Sequence, residues 1–68
     1  MKTTYDALAE REKLAHALAA WKTVGWTDSK KVEWWYRRAR RLARACRMPF
    51  SLVCADLEAD AQAILDAE

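Results

Sequence analysis

Gly25 and Pro49 are the only glycine and the only proline in this chain, and they cut it into three stretches with no other strong backbone breaker. Inside a helix, Gly costs about 1 kcal/mol and Pro about 3 kcal/mol relative to Ala. Three uninterrupted stretches separated by these two residues are therefore free to be helical, and the apolar spacing decides whether they are.

The spacing is helical throughout. Thr3-x-x-Asp6 reads as a capping-box-like start, with Asp6 complementing the positive end of the first helix. Ala7, Leu14, Leu18 and Trp21 then form one stripe, with Leu8 and Ala15 beside it. Gly25 falls where a left-handed residue ends a helix, and Thr27 or Asp28 can cap the next one. The second stretch carries Val32, Trp35, Tyr36, Ala39, Leu42, Ala43 and Cys46 at i, i+3, i+4, i+7 spacing. Pro49 ends that helix and is suited to the first turn of the third. Phe50, Val53, Cys54, Leu57, Ala61, Ile64 and Leu65 repeat the pattern, and no segment alternates with period two. The expected fold is all-α, a single compact three-helix bundle over 1–68 with helices at about 4–22, 28–47 and 50–67.

Several classes of function find no support in the residues. A chain of 68 residues makes one domain and buries only about 60% of its unfolded surface, so its stability margin is thin. Four tryptophans add large buried areas, and oligomerisation is a common further device, so a homodimer is an open option. Two cysteines do not make a disulfide framework, and one histidine leaves no zinc ligand set. No metal or other cofactor is expected. There is no Gly-rich phosphate loop and no nucleophile–base–orienter set, so the chain reads as non-enzymatic. No long uncharged run is present, which points to a cytoplasmic protein without a membrane partner.

The mild net charge of +2 hides a strong segregation. Residues 23–48 hold eight Lys/Arg against Asp28 and Glu33, whereas residues 49–68 hold five acids and no basic residue. The run Trp34–Arg47 alone contains six arginines and three aromatics. At about 100° per residue, Arg37, Arg40, Arg41, Arg44 and Arg47 spread over a flank and the outer side of the second helix, and Lys31 and Arg38 take the other flank. A neighbouring acidic helix reaches one flank only. Trp34 falls away from the core stripe, with Lys30, Lys31, Arg37, Arg38 and Arg41 around it, and is expected to be exposed. Elsewhere, Arg11 is expected to pair with an acid such as Asp60, His16 to face solvent, Tyr5 to pack over one end, and Cys46 and Cys54 to be buried.

The run Ser29–Arg38 resembles the recognition helix of the helix-turn-helix family, with Val32 and Trp35 inward. It departs from that pattern in Gly25, one residue too early, and in Trp21, where a small residue lets the helices close. In size and composition the chain is also similar to short phage or mobile-element proteins that block a host complex. Two functions follow as expectations. In the first, Trp34, Lys30, Lys31, Arg37, Arg38, Arg40, Arg41 and Arg44 dock on an acidic protein surface. In the second, the same cations hold the phosphates of DNA or RNA.

Overall fold

The computed structural model describes residues 5–26 and 28–68. They form three helices of equal length, α1 (Ala7–Val24), α2 (Ser29–Cys46) and α3 (Phe50–Ala67), each pair in contact. The described residues contain no strand, and the bundle is the one expected. The Thr3 and Thr27 caps lie outside the described residues.

The helix ends follow local chemistry. Asp6 is itself the N-cap of α1, its carboxylate accepting from the Ala9 amide at 3.1 Å, so α1 starts at Ala7, where its apolar stripe begins, and not near residue 4. Asp28 caps α2 by accepting from the Lys30 amide at 2.9 Å. Gly25 closes α1 at φ 75°, ψ 135°, with its amide donating to the Trp21 carbonyl at 2.7 Å. α2 ends on Arg47 in the left-handed region (φ 56°), while the Met48 amide reaches back to the Ala43 carbonyl at 2.9 Å. Pro49 is the N-cap of α3 and not its first helical residue; its carbonyl accepts from the Leu52 and Val53 amides.

The core joins Leu14, Ala15, Leu18 and Ala19 of α1 to Trp35, Ala39, Leu42 and Ala43 of α2 and to Val53, Leu57 and Ala61 of α3. Five alanines among these eleven let the helices approach closely, and the larger Trp35 fills the space between them. Trp35 also donates its indole N–H to the Leu14 carbonyl. Around the upper end runs an aromatic chain: Trp26 stacks on Trp21 at 5.0 Å, Trp21 and Tyr36 both meet Trp35 edge-on, and Tyr36 leans on Phe50.

Two of the expected core residues, both near helix ends, are exposed. Leu8 is 79% exposed, and Cys46 is exposed as well. Both have the helical phase of the core side, but Leu8 lies in the first turn of α1 and Cys46 in the last turn of α2. There they border an open cleft between the helices instead of filling the core. Cys54, half-buried, has its thiol pKa raised, chiefly by burial.

The ion pairs report how α1 meets α3. Arg11 donates to Asp60 at 2.7 Å, and Lys22 pairs with Glu58. On α1 these cations are separated by about 16 Å of helix axis, yet their acids are two positions apart on α3 and point to opposite sides of it. α1 therefore crosses α3 steeply and grips it from both flanks.

Candidate cationic face of the second helix

That crossing determines which arginines are left over. The acids of α3 that form ion pairs, Glu58 and Asp60, both go to α1. α2 makes one ion pair among the described residues, Arg38 to Glu10, with Nη1 donating at 3.2 and 3.3 Å to the two carboxylate oxygens. Although α3 is acidic, no ion pair joins it to α2 among the described residues. The reason is geometric: α3 offers α2 its apolar Phe50, Val53 and Leu57 side.

Arg37, Arg40, Arg41 and Arg44 come together on the outer side of α2, at i, i+3, i+4, i+7 spacing. With Val32, Glu33 and Tyr36 they line an open groove of about 630 Å³. Two of the four are braced from behind. The Arg40 guanidinium lies 5.4 Å from the Phe50 ring centre, and that of Arg41 lies 4.8 Å from the Tyr5 ring. Such contacts hold a planar fork in place while leaving its N–H donors outward. Sequence reasoning missed these supports, because Tyr5 and Phe50 are far from the arginines along the chain.

Trp34 is elsewhere. It is half-buried against the core, with the Arg38 guanidinium 5.0 Å from its ring centre and the Lys13 ammonium 5.9 Å away. The expectation of an exposed indole on the far side is thus corrected: α1 packs on the flank that carries Trp34 and Arg38. Lys30 and Lys31 are exposed in the first turn of α2, outside the groove. Tyr36, expected in the core, is 38% exposed and forms the apolar part of the groove wall. Arg11 pairs with Asp60 as expected, and that hydrogen bond raises its pKa further.

Tyr5 packs over the end of the bundle with its hydroxyl buried and without a hydrogen-bond partner among the described residues. Its pKa is raised, first by burial and then by the Glu10 carboxylate. No group of three or more potential metal ligands occurs among the described residues, and none of their helices is long and apolar enough to cross a membrane. Comparison with protein-family models, curated proteins and solved structures gives no match.

Proposed function

We propose that this protein is a non-catalytic binding module that docks the outer face of α2 on an acidic surface of another protein. The supporting observation is the commitment of Glu58 and Asp60 to α1, which leaves Arg37, Arg40, Arg41 and Arg44 without a carboxylate partner among the described residues. Four guanidinium groups on adjacent turns would otherwise repel one another, and an external anion relieves that. Arginine is enriched among interface residues that dominate binding, and a braced arginine loses less side-chain freedom on docking. Tyr36 and Val32 give the groove an apolar component, and Glu33 places one negative charge in it. That mixture suits a protein surface better than a uniform row of phosphates. An inhibitor or adaptor role in the manner of short phage proteins fits a module of this size.

Nucleic acid is the competing partner, favoured by the continuity of the cationic stripe. Wild type and the double variant Arg40→Glu/Arg44→Glu separate the two in a pull-down from the source cell at roughly 0.15 M salt, run beside gel shifts with random duplex and single-stranded DNA and RNA. Partner proteins held by wild type and lost by the variant support the proposal. Equal recovery by both would show the wrong face was chosen. A nucleic-acid shift that weakens steeply with salt and disappears in the variant would assign the face to phosphate.

A further inference from the structure

At the end of the molecule where α1 begins, α2 stops and α3 begins, the three helices leave a cleft of about 80 Å³ between them. Its walls are Ala7, Leu42, Val53 and Leu57 with Cys46, and its rim carries Leu8, Met48, Arg11 and Asp56. Two of the five large apolar residues exposed among the described residues line this cleft, Leu8 at 79% and Met48 at 37%. Water-exposed leucines on a chain with so small a core cost stability that burial would recover.

We infer that this end is a self-association surface, in which Leu8 of each of two copies enters the cleft of the other. Three observations select a second copy as the occupant. The volume of the cleft suits one aliphatic side chain, and the protruding aliphatic side chain lies on its own rim. A patch that carries both knob and hole is complementary to itself under a two-fold axis. The rim also carries one charge of each sign. Arg11 is engaged by Asp60, while Asp56 has no ion-pair partner among the described residues, so a two-fold contact brings each Asp56 towards the other copy's Arg11. The area required is modest: about 800 Å² per partner, or roughly 15% of the 5241 Å² surface. This surface is separate from the groove lined by Arg37 and Arg44, and the inference does not depend on what that groove binds.

The test is sedimentation equilibrium of the full chain, from micromolar up to about 1 mM, for wild type, Leu8→Asp and Val24→Asp. Val24 is 76% exposed at the opposite end of α1, so it controls for loss of a surface apolar residue. Neither side chain contributes to the core, so both variants fold. Wild type and Val24→Asp are expected to reach twice the chain mass. Leu8→Asp is expected to weaken association at least about 100-fold, because docking would bury an unpaired carboxylate. Alkylation of Cys46 should slow with concentration in wild type and not in Leu8→Asp. A wild type that stays monomeric throughout, or a Leu8→Asp variant that dimerises as well as wild type, overturns the inference. So does equal loss of association in Val24→Asp.

Discussion

The Trp35 indole N–H donates to the Leu14 backbone carbonyl at 3.0 Å, a hydrogen bond made entirely inside the core. It ties the middle of α2 to the middle of α1, through a carbonyl that also serves the helical ladder of α1. Trp35→Phe keeps an aromatic filler but removes this donor and part of the packing. We expect a loss of about 1–3 kcal/mol in urea unfolding. Trp35→Ala should cost about 3–5 kcal/mol, enough to unfold a marginal domain. A Trp35→Phe variant as stable as wild type would show that the hydrogen bond contributes nothing net.

Trp34 and the outer arginines should separate into two kinds of behaviour. Truncating the half-buried Trp34 removes contacts with α1 and the ring beneath Arg38, so Trp34→Ala should lower stability by about 2 kcal/mol. Arg37→Ala and Arg44→Ala, on the solvent side, should stay within about 0.5 kcal/mol of wild type. Thermal unfolding at low and moderate salt measures both. Reducing the charge repulsion along α2 should show as a small stabilisation at low salt that fades as salt rises.

What could be read from the residues was what depends on period. The three apolar stripes, the two breaks and the pairing of Arg11 with an acid such as Asp60 follow from helical phase and charge sign. What depends on the third dimension could not. Leu8 and Cys46 have the phase of core residues but border an open cleft between the helices, which leaves them exposed. Trp34 has the phase of a flank, and only the side on which α1 packs decides whether that flank is covered. Likewise the sign of each helix was plain, but the steep crossing that sends the acids of α3 to α1 was not.

The two left-handed helix ends should respond in opposite directions. Gly25 combines φ 75° with ψ 135°, a region essentially limited to glycine, and an added Cβ would meet nothing within 4 Å among the described residues. Gly25→Ala should therefore cost about 1–3 kcal/mol through backbone strain alone. Arg47 pays a similar penalty already, at φ 56° with a side chain. Arg47→Gly should raise stability by up to about 1 kcal/mol, read as a higher midpoint in urea with an unchanged slope. A destabilised Arg47→Gly would mean that the Arg47 side chain makes a compensating contact.

Tyr5 supplies a pH-dependent test. Its hydroxyl is buried without a partner among the described residues, and burial and Glu10 raise its pKa above the ordinary phenol value. A group whose folded pKa is raised contributes stability that is complete below the unfolded pKa, near 10, and is lost as pH climbs through the folded value. The unfolded chain releases this proton first, so alkali favours unfolding. Tyr5→Phe keeps the ring under Arg41 and removes both the orphaned hydroxyl and the titration. At neutral pH the variant should be as stable as wild type or up to about 1 kcal/mol more stable. Between about pH 9 and 11 its urea midpoint should fall less than that of wild type. Parallel declines in the two proteins would mean that the phenol ionises equally well in both states, and that water reaches it in the folded protein.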